Sequence, residues 1–187
     1  MNPEALEWLF PTPIAVYDLT ECVTDEIDNA LQKISYTTNS LVEGIRGTQD
    51  PSKIPQLKKL YEKFQECIDS YSKEIGIKRS YISESWMNIL SVNGSVGVHR
   101  HYDSVISGAY YPYVDDGSAP IAFISSTEGF RMIDIQYCTD DNKLYTANVH
   151  TIVSKTGKLV LFPSWLQHYV PTNKTEMRIT LSFNTKF

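Results

Sequence analysis

From Tyr81 onward the chain is written in short runs of β-branched and aromatic residues, and this rhythm constrains the fold more than any other feature. The runs are SWMNILSVN, VISGAYYPYV, PIAFISS, MIDIQYC, LYTANVHTIVS, KLVLFPSW and MRITLSFN. Gly, Asp, Asn or Pro breaks them roughly every 8–14 residues. That spacing predicts an all-β sandwich or closed double sheet.

The first half reads differently. LFPTPIAVYDL (9–19) predicts a strand bounded by prolines. From Glu21 to about Ile34, apolar residues at Val23, Ile27, Leu31 and Ile34 predict a helix. A polar stretch rich in Thr, Asn, Gly and Asp follows from Thr37 to Pro51 and reads as a loop. Ile54 to Ile75 is the best helix, with Leu57, Leu60, Phe64, Ile68 and Tyr71 on one face and Gly76 as its stop. With 187 residues and no repeats, the expectation is one domain over 1–187, a helical support region (1–80) followed by a β core (81–187).

Charge and cysteine usage exclude several classes. The net charge is −5 and no long Lys/Arg run occurs, so no nucleic-acid partner is expected. Cys22, Cys67 and Cys138 are odd in number and scattered, which argues against a disulfide framework or a thiolate zinc site and fits a reducing cytoplasm. No apolar run is long enough to span a membrane, and the start lacks the pattern of a secretory signal.

The chemistry concentrates in VGVHRHYDSVISGAYYPYV (96–114). Residues two apart on a strand share a face, so His99 and His101 project together, with Asp103 if the extended geometry lasts that far. A third histidine, His168, sits downstream in LFPSWLQHYVP. Two close ligands and one distant one make a three-point facial site for a first-row transition metal, with coordination positions left open. Ten residues beyond His168, Arg178 alternates with Thr180 and Ser182 onto one face of a predicted strand. A guanidinium aimed into a β core is costly unless it meets an anion, and its fork suits a carboxylate. His150 reads as a strand or turn histidine, Trp86 and Trp165 as core aromatics, and Tyr110 as packing. Asp140-Asp141-Asn142 reads as a hairpin tip.

These motifs together resemble the Fe(II)/2-oxoglutarate-dependent oxygenases, and within them a small family of 2OG-Fe(II) oxygenases found in bacteria and phages. The resemblance is carried by Trp86-Met-Asn88, His99-Arg-His101, Ser107-Gly-Ala-Tyr110-Tyr111, Phe162-Pro-Ser-Trp165-Leu-Gln-His168 and Arg178-Ile-Thr-Leu-Ser-Phe183-Asn184, in that order over roughly residues 84–187. It implies an α+β fold, a double-stranded β-helix (jelly-roll, cupin-like) core with N-terminal supporting helices. It implies Fe(II), 2-oxoglutarate as cosubstrate, and O2. The implied reaction is hydroxylation of a peptidyl or small-molecule substrate, with release of succinate and CO2.

The family's roles map onto His99 and His168 as iron ligands and onto Arg178 as partner of the distal carboxylate of 2-oxoglutarate, with Tyr111 and Ser182 assisting. Better-known relatives carry His-x-Asp. Aligning the glycine before His99 makes His101 the third ligand, the preferred register; a shift of two residues gives His101-Tyr102-Asp103 instead. Loops 39–51 and 115–120 are the expected walls of the substrate site, and a homodimer is allowed. Rival readings are a cupin-type three-histidine iron dioxygenase that does without 2-oxoglutarate, which Arg178 opposes; a non-catalytic β-sandwich binding module; and a zinc hydrolase, for which no general base stands near the histidines.

Overall fold

In the computed structural model, which describes residues 5, 10–39, 42–127 and 147–187, the alternation of the second half becomes a single antiparallel ladder that rolls back on itself. The first half supplies β1 (Ala15–Asp18), α1 (Asp25–Leu31), β2 (Tyr36–Asn39), β3 (Val42–Gly47) and α2 (Lys58–Glu74). The second supplies β4 (Tyr81–Leu90), β5 (Val96–His99), β6 (Ile106–Val114), β7 (Ile121–Ile124), β8 (Val149–Ile152), β9 (Lys158–Pro163), β10 (His168–Val170) and β11 (Arg178–Lys186). The hydrogen-bonded order is β1-β9-β6-β11-β4-β3-β5-β10-β7-β8, with β2 on the side of β3. The predicted strand MIDIQYC, Cys138 and the tip Asp140-Asp141-Asn142 lie outside the described residues.

Two layers of core follow from the strand period. On β6, Ile106 and Tyr110 point outward, and Ala109 and Tyr111 point inward. The inward set meets Ile121 and Phe123 of β7, far away along the ladder, so the two halves of the sheet face each other. Phe123 and Phe162 meet there at 5.0 Å between ring centroids. This is the double-stranded β-helix, with two helices on its outer face.

The outward set packs on α1 and α2. Helix α1 starts at Thr24, whose hydroxyl accepts from the Ile27 amide, with Asp25, Glu26 and Asp28 in its first turn. It buries Ile27, Ala30 and Leu31. In α2 the apolar stripe is buried as predicted, and Phe64 stacks 5.2 Å from Phe183 and 5.1 Å from Tyr110. Gly76 ends this helix at φ +74°, which lets the Ile77 amide reach back to the Ser72 carbonyl at 3.0 Å.

Residues 37–51 are where the structure departs from the sequence reading. Most of this polar stretch is the β2–β3 hairpin rather than a loop. Strand β3 bridges the two halves of the ladder, pairing Ile45 with Ile89 and Arg46 with Asn88 on β4, and Val42 with Val96 on β5. Its strand character comes from those neighbours, not from its own apolar pattern, which is why periodicity missed it. The helix expected from Glu21 is likewise shorter, a single 3-10 turn (Thr20–Cys22) preceding α1.

Candidate metal and cosubstrate site

Strands β5 and β10 pair with His99 opposite His168. Their rings stand 4.3 Å apart. His101, two residues beyond β5, is held by its backbone amide donating to the Ser164 carbonyl at 2.9 Å. Its ring lies 5.1 Å from that of His99 and 5.2 Å from that of His168. One nitrogen of each of the three converges within 4.8 Å of the others, the arrangement expected of a metal-ligating cluster.

Protonation favours the same use. His168 and His101 are pulled down to about 3 and about 4, first by burial and then by the neighbouring His99, so both are neutral at physiological pH. His99 Nδ1 donates to the Gly97 carbonyl at 2.7 Å and His168 Nδ1 to the Leu166 carbonyl at 2.8 Å. A carbonyl only accepts, so these bonds fix the proton on Nδ1 and leave the Nε2 lone pair free. His101 is oriented otherwise, with Nδ1 at 3.3 Å from the Asn184 amide nitrogen. Asn184 in turn donates to Glu84 at 2.7 Å and accepts from Ser107 at 2.7 Å.

The alternative ligand goes elsewhere. Asp103 sits in the left-handed region at φ +56° and pairs with Lys186 on the surface. Among the described residues the cluster comprises the three histidines and no carboxylate. The tight turn after His101 ends the extended geometry, so Asp103 leaves the face His99 and His101 share.

Arg178 opens β11 and is almost wholly buried. It lines the same cavity as the three histidines, together with Tyr111 and Ser182. Its Nε donates to the Ala119 carbonyl at 2.8 Å and its Nη1 to the Thr180 hydroxyl at 2.8 Å. Its guanidinium carbon lies 5.1 Å from the Tyr111 ring centre. No described carboxylate pairs with it, and burial lowers its pKa. A buried cation without an anion is unfavourable by several kcal/mol (about 3–5), so the slot is shaped for an anionic ligand. Tyr111 Oη lies beside Arg178 and Ser154 yet makes no hydrogen bond of good geometry, and Asn88 Oδ1 in the same cavity also lacks a partner. Two orphaned polar atoms beside an unpaired guanidinium fit the carboxylate end of 2-oxoglutarate, and three convergent imidazoles fit Fe(II).

Sequence reasoning placed Thr180 and Ser182 on the face of Arg178 and gave only Ser182 a role, and it assigned nothing here to Ser154 or Asn88. Thr180 shares the alternation and was visible as such; Ser154 comes from a distant segment and carries no local signal. Trp86 and Trp165 are not core aromatics. Trp86 lines the cavity, 5.5 Å from the His101 ring, and Trp165 is half exposed. His150 is exposed on β8 opposite Phe123, outside the cluster. Tyr110 packs on Phe64, as its position on the outward face requires.

Solved structures share this architecture across nearly the whole chain. A prolyl-4-hydroxylase of Pseudomonas putida superposes with a TM-score of 0.62 at 11% identity, covering 94% of this chain and 92% of its own. HygX of Streptomyces hygroscopicus, solved with nickel and 2-oxoglutarate bound, gives 0.64 at 9%, covering 93% and 82%. A prolyl hydroxylase of Trichoplax adhaerens, in complex with a hypoxia inducible factor peptide fragment, gives 0.59 at 11%, covering 91% and 82%. At such identities these likenesses establish the fold. No curated protein matches the chain in sequence. The model of the family described as "Putative 2OG-Fe(II) oxygenase" matches residues 84–184, and the chain belongs to that family. Its metal and cosubstrates are accordingly Fe(II), 2-oxoglutarate and O2.

Proposed function

We propose that the protein hydroxylates an organic substrate, peptidyl or small, with conversion of 2-oxoglutarate to succinate and CO2. His99, His101 and His168 hold the iron; Arg178, Tyr111 and Ser182 hold the distal carboxylate of 2-oxoglutarate. One observation carries this reading: three convergent imidazoles and a buried guanidinium without an anion line a single cavity.

When bound, iron and 2-oxoglutarate supply the O2-activating chemistry. The chain's own residues orient and enclose it. Gly97 and Leu166 carbonyls aim His99 and His168 through their Nδ1 protons. Arg178, fixed by Ala119 and Thr180, binds and aligns the cosubstrate. Tyr111 Oη is free to donate to the same carboxylate. Phe162, 4.7 Å from the His168 ring, keeps that side of the site dry. The helices of residues 1–80 act as support for the sheet, and a cytoplasmic location accords with unpaired Cys22 and Cys67. No described helix is long and apolar enough to cross a membrane.

The test is anaerobic titration of metal-free protein with Fe(II) and 2-oxoglutarate, following the weak visible charge-transfer band of the chelate. The band should form with wild type and vanish in both His168→Ala and Arg178→Ala. Iron binding without any response to 2-oxoglutarate would favour the cupin-type dioxygenase instead. No iron binding would leave a binding module.

A further inference from the structure

A second cavity, about 290 Å3 in volume, opens beside the first and shares Trp86, Asn88, Val96, His99 and His101 with it. What it adds is charge, from Arg46, Glu84 and Arg100. Two of these have occupations. Glu84 accepts from Asn184 at 2.7 Å, and Arg100 bonds the Tyr102 hydroxyl at 3.1 Å and stacks on its ring. Arg46 is different. It is half-buried, its guanidinium carbon sits 5.1 Å from the Trp86 ring centre, and it has no hydrogen bond or ion pair among the described residues.

The cation–π contact with the indole holds the guanidinium over Trp86, and with no partner among the described residues its N–H donors are available to a carboxylate, which a guanidinium binds through two parallel hydrogen bonds. Across the ladder Arg46 is in register with Asn88, and Asn88 with Thr180, which bonds Arg178. Arg46 therefore stands on the side of Asn88 away from the strand that carries Arg178. The two arginines lie in separate compartments joined at the histidines. The chain carries a net charge of −5, yet this cavity holds two guanidiniums against one carboxylate. At about 290 Å3 the cavity stands at the lower edge of small-molecule sites, roughly 300–1,000 Å3, which suits a small ligand.

We propose that the second cavity is the primary-substrate site and that it takes a small organic molecule bearing a carboxylate, bound by Arg46 with its reacting end toward the histidine cluster. The assignment rests on the function proposed above. A carboxylate suits the site better than a phosphate, because Glu84 in the same cavity opposes a second negative charge.

The probes are N-acetyl-leucine and N-acetyl-phenylalanine, their primary amides, and benzoate against phenyl phosphate. Dissociation constants are measured by calorimetry on Ni(II)-loaded protein saturated with 2-oxoglutarate, so that Arg178 is occupied and no turnover occurs. The acids should bind at least about tenfold tighter than the amides. Arg46→Gln should erase that difference and Arg46→Lys should keep part of it, while 2-oxoglutarate affinity stays unchanged in both. Equal binding of acids and amides would overturn the proposal, as would a preference that survives Arg46→Gln. Displacement of the acids by excess 2-oxoglutarate would put them on Arg178, and tighter binding of phenyl phosphate would transfer the site to phosphate esters; either overturns it too. Failure of the Ni(II) protein to take up 2-oxoglutarate would instead sink the parent function, a result read separately from the acid–amide comparison.

Discussion

Tyr111 carries a fully buried hydroxyl without a partner, next to a guanidinium that also lacks its anion. Leaving a polar group unpaired in the interior is unfavourable by about 1–3 kcal/mol. Tyr111→Phe should therefore leave the ligand-free protein as stable or raise its unfolding free energy by about 1 kcal/mol, while weakening 2-oxoglutarate by roughly fivefold to tenfold. Thermal unfolding with and without 2-oxoglutarate separates the two effects; a Tyr111→Phe protein that binds 2-oxoglutarate like wild type would remove Tyr111 from the site. The histidines give a second residue-scale prediction. His101 and His168 are held neutral, with folded pKa values near 4 and 3 against an ordinary 6.5. The unfolded chain then takes up protons first, so the stability of the metal-free protein is highest above about pH 6.5 and falls as acid is added through that value toward about pH 4. The Tm of metal-free protein should drop between about pH 7 and pH 5, and His168→Asn should flatten that slope. At this scale most of the site was legible, because His99, His101, Arg178 and Ser182 declare their faces by spacing of two. Asp103 was a live alternative only because spacing cannot show a left-handed turn.

Helix α2 and strand β11 meet where shape decides stability. Phe64 is fully buried between Tyr110 and Phe183, and Phe64→Ala should lower the unfolding free energy by about 3–5 kcal/mol. Gly108, on β6 beside Phe183, has no room for a side chain, since an added Cβ would come within 2.1 Å of the Phe183 ring. Gly108→Ala should lower stability by more than about 3 kcal/mol, or prevent folding, when measured by denaturant titration. Near-wild-type stability would mean the ring can swing aside. The stripe of α2 was readable because the helix writes its buried face at intervals of three and four. The β2–β3 hairpin was not, since a strand that borders a cleft needs no apolar alternation and takes its hydrogen bonds from β4 and β5.

For the whole molecule, the outward face of the sheet and both helices share one core. Ile27, Leu31, Leu60, Phe64 and Ile68 pack with Met87, Ile106, Leu159, Leu181 and Phe183. We infer that 1–187 is one cooperative unit, so residues 81–187 expressed alone should fail to give a two-state transition by circular dichroism. Independent folding of that fragment would make the first half an accessory. The sequence by itself determined the strand rhythm, the helix stripe, the inward face of β11 and the ordered motifs that assign the family, because these are properties of neighbouring residues and of pattern. Only the tertiary structure decided which distant groups serve one another. It set Ala119 and Ser154 on Arg178, sent Asp103 to Lys186, and brought Arg46 into register with Asn88 beside the histidines. Those meetings depend on how an antiparallel ladder rolls and closes, and closure joins residues whose separation along the chain leaves no trace in local periodicity.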